Sequence, residues 1–180
     1  MAMVLSVEID NSNIKFIEAS KKSETLFISK CISIDISNGV KDEKIIDIKS
    51  VVNKISEALE KYGIKTKKAV FVINSNSIMV RTIKLPLLKK KSEILSMIQI
   101  ELQQILSADL SKYQITYEIC RTIKENKIIY ADYIVYCIPR LAVNQCLELA
   151  ENLKLKLLKI DIPHFCINTL YNNCKINNTL

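Results

Sequence analysis

From Met3 to Ile9 apolar and polar side chains alternate in the manner of a strand, and they do so again from Asn13 to Ala19 and from Thr25 to Ile36. Between the first two runs lies Asp10-Asn11-Ser12-Asn13, whose short polar side chains favour a tight turn. The pattern predicts two successive antiparallel hairpins. Further on, Val51, Val52, Ile55, Ala58, Leu59 and Tyr62 recur at three- and four-residue spacing, which predicts a helix. Asp47 is placed to cap its start, and Gly63 supplies the left-handed residue that stops it. The run Ala69 to Ile73 has no polar alternation and predicts a strand buried on both faces. A helix followed by such a strand implies a crossover into a sheet with parallel character.

The rhythm then changes. Ile78 to Leu85 predicts a strand ending at Pro86, and a helix follows from about Ser92 to Leu106, with Ile94, Ile98, Leu102 and Ile105 on its inner face. Strands near Tyr113 to Ile123 and Lys127 to Ile138 are joined by the polar turn Glu125-Asn126. A helix from about Leu141 to Leu153 leads to a strand from Leu155 to Ile160. Asp161 can cap a last helix, with Pro163 in its first turn and Phe165, Thr169 and Leu170 on its face. Strand, helix, two strands and helix make a small α+β lobe inserted into the first α/β lobe.

Composition narrows the possible functions. Hydrophobic residues make up 49% of the 180 positions, enough for a core, and the apolar tracts are far shorter than the roughly 20 residues of a membrane-spanning helix. The N-terminus lacks the basic start and long apolar run of a signal peptide. The six cysteines form no C-x-x-C pair and mostly sit in apolar runs, which predicts reduced, buried thiols in a cytosolic protein. His164 is the only histidine, so no metal site is expected.

The net charge of +7 is almost all lysine, densest at Lys89-Lys90-Lys91 and at Lys65, Lys67 and Lys68. With Arg81, Arg121 and Arg140 the only arginines and no tryptophan, a solvated surface is expected rather than a nucleic-acid interface. Attraction to anionic lipid is a secondary expectation.

Five segments, taken in order, carry a resemblance: Ser6 to Lys15, Asp47 to Leu59, Ser77 to Pro86, Ile94 to Leu106, and Leu153 to Leu170. Together they resemble the N-terminal half of the PilM family, the cytoplasmic actin-like proteins of type IV pilus assembly, to which FtsA of cell division is related. The strand that ends in Leu85-Pro86 before an acidic helix is the most specific piece.

The resemblance implies an actin-like (ribonuclease H-like) subdomain 1A at residues 1–81 and 156–180, with an α+β subdomain 1C inserted at 82–155. The family's second half, subdomains 2A and 2B, has no counterpart in this sequence. It also implies a partner: the cytoplasmic N-terminal tail of a PilN-like bitopic membrane protein, held in extended form between 1A and 1C at the inner face of the membrane. Other proteins of the pilus platform are possible partners, and membrane association is then indirect. The residues expected to line that site are Met79, Arg81, Ile83, Lys84, Leu85 and Pro86, with Arg81 and Lys84 meeting polar groups and Leu85 packing on apolar ones.

Nucleotide chemistry is expected to be lost. The family's Asp-x-Gly-Ser-Ser-Ser-x-Lys phosphate loop corresponds to Glu8-Ile9-Asp10-Asn11-Ser12-Asn13-Ile14-Lys15. Glycine is replaced by Asp10, which adds a side chain and a carboxylate where backbone would approach phosphate. Two like charges about 4 Å apart cost roughly 4 kcal/mol at an intermediate effective dielectric. The only glycines are Gly39 and Gly63, so no other phosphate cradle exists.

His164, Ser75, Ser77, Glu101 and Glu118 have no evident catalytic companion in the sequence. The chain is therefore expected to be no enzyme, with ATP and magnesium relevant only beside a second half. Three alternatives stay open: half of an actin-like ATPase, an FtsA-like division adaptor, and a basic nucleic-acid-binding domain.

Overall fold

A computed structural model of the chain describes residues 3–23, 25–36, 39–41 and 44–167. Two compact units emerge: residues 1–75 with 142–180, and residues 76–141.

The first unit is built on a five-stranded sheet. Its strands are β1 (Met3–Ile9), β2 (Asn13–Lys22), β3 (Thr25–Asp35), β6 (Lys68–Ile73) and β10 (Lys156–Asp161), in the order β10-β6-β1-β2-β3. β2 runs antiparallel to both β1 and β3, whereas β1, β6 and β10 are parallel. One antiparallel strand second from the edge of an otherwise parallel-running sheet is the expected ribonuclease H-like arrangement. Two short strands, β4 (Val40–Lys41) and β5 (Lys44–Ile45), form a separate ribbon that the hydrophobic pattern did not reveal. With two residues each, they are too short for a period of two to show.

Helix α1 (Ile48–Lys61) makes the crossover from β5 to β6, and Asp47 caps it by accepting from Ser50 N at 3.1 Å. Its buried residues are Val51, Ile55 and Ala58. Past its end Gly63 adopts φ +62°, the left-handed conformation expected of it. Lys30 from β3 donates to the carbonyls of Tyr62 and Gly63, so a cation sits where the helix leaves carbonyls unsatisfied. Gly39 lies so close to α1 that an added Cβ would meet Val51 Cγ2 at 2.7 Å. Side-chain size therefore demands glycine there.

Alternation along the strands sends Leu5, Val7, Ile14, Phe16, Ala69, Phe71 and Ile73 to the buried face of the sheet. The expectation of a strand buried on both faces needs correction at β6: Val70 and Val72 are only half-buried, because they lie on the opposite face. One charged residue goes inward with the core. Glu18 is buried and accepts from Thr66 Oγ1 at 2.6 Å and Ser29 Oγ at 2.9 Å, which satisfies its carboxylate with neutral donors.

The second unit holds β7 (Met79–Pro86), α2 (Lys91–Ile105), a 3-10 turn (Leu110–Lys112), β8 (Tyr113–Glu125) and β9 (Ile128–Pro139). Its sheet has the order β7-β9-β8, all antiparallel. Ile83, Leu85, Ala131, Tyr133, Val135 and Cys137 form one core with Ile94, Ile98 and Leu102 of α2. Ile105, expected on that inner face, is exposed at the last turn of the helix. The Tyr133 ring meets Tyr117 edge-on at 5.4 Å. Burial raises the pKa of its hydroxyl, and the Leu88 amide partly offsets this.

Helix α3 (Arg140–Asn152) begins where the second unit ends, and its buried residues Cys146, Leu149 and Ala150 belong to the first unit. Gln145 of α3 clasps the backbone of Ile45 from both sides, donating to its carbonyl at 2.7 Å and accepting from its amide at 3.3 Å.

The compact units therefore divide differently from 1–81, 82–155 and 156–180. β7 pairs with β9 along its whole length, so Met79 to Arg81 fall in the second unit, whereas residues 142–155 fall in the first. After β10 the chain turns helical at 163–167, where Phe165 N and Cys166 N donate to Ile162 O. Asp161 ends the strand and accepts from Ile162 N at 3.0 Å. Thr169, Leu170 and Cys174 lie outside the described residues.

Candidate functional site

Two places named by the sequence can be built from their residues upward: the turn between β1 and β2, and strand β7.

The turn closes because Asp10 N donates to Asn13 O at 2.9 Å. The Asp10 carboxylate then folds over its own turn. Oδ1 accepts from Asn13 N at 2.7 Å, from Ser12 N at 2.9 Å and from Ser12 Oγ at 3.3 Å. Lys15, one turn down β2, reaches Asp10 Oδ2 and Glu8 Oε1, both at 3.2 Å, and Asn74 Nδ2 donates to Glu8 Oε1 at 3.1 Å.

Burial acts to raise the pKa of Asp10, but the Ser12 and Asn13 amides with Lys15 outweigh it and hold the carboxyl below the usual aspartate range. The Lys15 ammonium is pushed up by Asp10 and Glu8 in return. Of the six residues expected here, Glu8, Asp10, Ser12, Asn13 and Lys15 thus form one hydrogen-bonded set around the turn that also contains Asn11. Two backbone N–H groups of the turn thus bind an anion that is covalently part of the loop.

Strand β7 gives a mixed outcome. Alternation turns Ile83 and Leu85 into the core beneath α2, where they are 6% and 5% exposed, and Met79 packs against the same cluster. The expectation that Leu85 packs on a partner is therefore corrected: its side chain is already used inside the unit. Arg81 and Lys84 are exposed. Arg81 Nη1 donates to Val80 O at 2.8 Å, and Lys84 pairs with Glu125 at 2.6 Å and lies over the Tyr130 ring at 5.2 Å. Pro86 is half-buried at the strand end.

What the side-chain expectation missed is the main chain. β7 is the outer strand of its sheet. Leu87 N donates to Ile129 O at 2.8 Å, and in an antiparallel ladder the groups facing the partner recur at every second residue. Arg81, Ile83 and Leu85 accordingly direct their amides to β9, whereas Val80, Thr82 and Lys84 direct theirs away from it. Pro86 falls on the outward side, where its missing N–H costs the ladder nothing. A proline closing an otherwise good strand was the signal in the sequence that β7 is an edge.

The remaining candidates stay apart. Glu101 sits on α2, while Glu118 lies on the opposite face of the sheet and accepts from Tyr136 Oη at 2.5 Å. Burial, with Glu118 next, raises the Tyr136 pKa strongly. Arg121 and Asp132 pair on that same face. His164 is exposed, and Ser75 and Ser77 stand on either side of the boundary between the two units. The cysteines divide: Cys137 and Cys146 are buried as expected, with burial pushing Cys146 up to about 12, but Cys31 and Cys120 are exposed.

Comparison with known families decides the kinship. The family model described as type IV pilus assembly protein PilM matches residues 6–178. The chain belongs to the PilM family. Among solved structures, the PilM-PilN type IV pilus biogenesis complex is similar in fold, with a TM-score of 0.78 and 16% identity, over 93% of this chain and 49% of that one. This PilM-family chain thus spans about half the length of that relative.

Two looser likenesses are to a Bacteroides thetaiotaomicron protein with an actin-like ATPase fold and unknown function, and to the Aquifex aeolicus Ppx/GppA phosphatase. The first has a TM-score of 0.47 and 10% identity over 94% of this chain and 55% of that one. The second has a TM-score of 0.38 and 10% identity over 91% and 36%. No curated protein matches the chain.

Proposed function

We propose that this chain is a scaffold of a type IV pilus assembly platform, and that it holds the cytoplasmic tail of a PilN-like membrane protein as an added strand on β7. The observation that carries the proposal is the outward row of main-chain groups on that strand, at Val80, Thr82 and Lys84, of which the Val80 carbonyl is held by the Arg81 side chain that a docking strand would displace. An extended peptide laid along such an edge gains backbone hydrogen bonds without any rearrangement of the sheet. Membership in the PilM family supports the pilus role, and the similar structure is a PilM-PilN complex. On this assignment the chain works at the inner face of the cytoplasmic membrane.

The engaged donors of the first turn support a binding role without nucleotide hydrolysis by this chain alone. Arg81, Thr82 and Lys84 are exposed beside the docking edge, and two of them are cationic. The two cations suit carbonyls or carboxylates of the tail.

A synthetic PilN-like tail titrated by fluorescence anisotropy tests the proposal. The unaltered chain is expected to bind. Thr82→Pro deletes one outward N–H while leaving the β9 ladder intact, and is expected to weaken binding about fivefold or more, the worth of one net hydrogen bond. Arg81→Glu is expected to weaken it further for an acidic tail. No binding by the unaltered chain, or unchanged binding by Thr82→Pro, would overturn the edge assignment.

A further inference from the structure

The end of the second unit where β7 runs out and the β8–β9 hairpin turns carries a surface that the docking edge does not use. Leu87 N bonds to Ile129 O, so the loop after β7 is fastened to the first residues of β9. Three large apolar side chains stand out from this end, Leu87 at 38% exposed, Ile128 at 49% and Ile129 at 47%; alternation along β9 sets Ile128 and Ile129 on opposite faces of the hairpin tip, with Leu87 beside Ile129. The neighbouring Leu88, by contrast, packs into the core. Around them stand six lysines, at 84, 89, 90, 91, 124 and 127, against two acids, Glu93 and Glu125.

Those two acids are taken by Lys90 at 3.1 Å and Lys84 at 2.6 Å. Lys89, Lys91, Lys124 and Lys127 have no ion pair among the described residues. Elsewhere in this unit the four cations Arg81, Lys112, Arg121 and Arg140 are matched in number by Glu101, Asp109, Glu118 and Asp132. The unit's entire net positive charge is therefore gathered at one end.

Lysine is also kept where the backbone disfavours it. Asn126 and Lys127 have φ of 45° and 72°, the two positive values of a two-residue hairpin turn whose second position strongly prefers glycine.

We infer that this end, Leu87 with Lys89 to Lys91 and the turn from Lys124 to Ile129, docks directly on an anionic phospholipid surface. Aliphatic side chains on both faces of the hairpin tip, set among flexible lysines, match the two layers of a bilayer interface when the tip enters it edge-on. The apolar groups enter the boundary of the acyl chains while the ammonium groups remain among phosphates. The aliphatic tip separates this from a nucleic-acid contact, which would use stacking or forked donors. The inference is independent of the partner tail, because none of Leu87, Lys89 to Lys91, Lys127, Ile128 and Ile129 belongs to the outward row of β7.

The test is flotation of the full chain with vesicles of phosphatidylcholine, with and without phosphatidylglycerol, at low and at physiological salt. Binding is expected only to the anionic vesicles, and weaker at the higher salt. The triple variant Lys89→Gln, Lys90→Gln, Lys91→Gln is expected to lose about 100-fold in partition. The matched triple Lys65→Gln, Lys67→Gln, Lys68→Gln in the first unit is expected to stay near the unaltered value. Ile128→Ser with Ile129→Ser, checked for an unchanged circular-dichroism melt, is expected to lose about tenfold. Equal loss from the two lysine triples would overturn the inference, as would failure of the unaltered chain to float. Undiminished binding by the isoleucine variant would also overturn it, leaving a charged surface suited to an acidic protein.

Discussion

At the Asp10–Asn13 turn every charge has a neighbour of opposite sign or a donor: Asp10 holds Ser12 and Asn13, and Lys15 bridges Asp10 and Glu8. At the Asn126–Lys127 turn the lysines on both flanks have no carboxylate of their own, since Glu125 is engaged by Lys84. Both turns close antiparallel hairpins of the same chain, yet one is electrostatically complete and the other is left open. A complete turn has little to gain from a ligand, whereas an open one does. The contrast accords with the lipid surface inferred at the second hairpin.

Breaking the complete turn has the largest expected effect. Asp10→Ala removes a carboxylate that accepts two backbone amides, and should cost about 1–2 kcal/mol in urea unfolding. The same group sets a pH dependence with a definite sign. Its folded-state pKa lies below the ordinary 3.8, so its contribution is full above that value and is lost as pH falls through the lowered one. Asp10→Asn should flatten the acid limb of the stability curve.

At the open turn the expected sign reverses. Lys127→Gly relieves a positive φ and should stabilise the chain by about 1 kcal/mol, raising the melting temperature, while vesicle binding drops about fivefold. The smallest effect belongs to Lys15→Gln. It leaves Glu8 and Asp10 facing each other at a half-exposed site and should cost about 0.5 kcal/mol at low salt, less at high salt.

Much of the first unit was legible in the sequence because local and global signals agree there. The spacing of Val51, Ile55 and Ala58, with Asp47 before them and Gly63 after, fixes a helix at both ends. The turn residues from Asp10 to Asn13 likewise announce the first hairpin. What escaped depends on contacts between distant segments. No pattern in β7 says which of its two faces α2 covers, so from sequence Leu85 reads as facing a partner although it belongs to the core. The clasp of Gln145 on Ile45 joins residues far apart in sequence, and the outward row at Val80, Thr82 and Lys84 is a property of pairing register, which carries no side-chain signature. The gathering of lysines around Ile128 and Ile129 was visible only as clusters until the fold brought the loop after β7 beside the hairpin.

The insertion of residues 76–141 into the first unit also imposes an order in time. Every partner in the second sheet lies between Met79 and Pro139, so that sheet can close as soon as β9 has been synthesised. In the first sheet β1, β2, β3 and β6 can pair earlier still, but the outer strand β10, whose Lys156 pairs with Lys68 across the whole inserted segment, can join only afterwards. Closing so long a loop is slow, and domains tend to condense as units during synthesis. The first sheet should therefore be completed last, after the inserted unit has closed, when β10 settles beside β6.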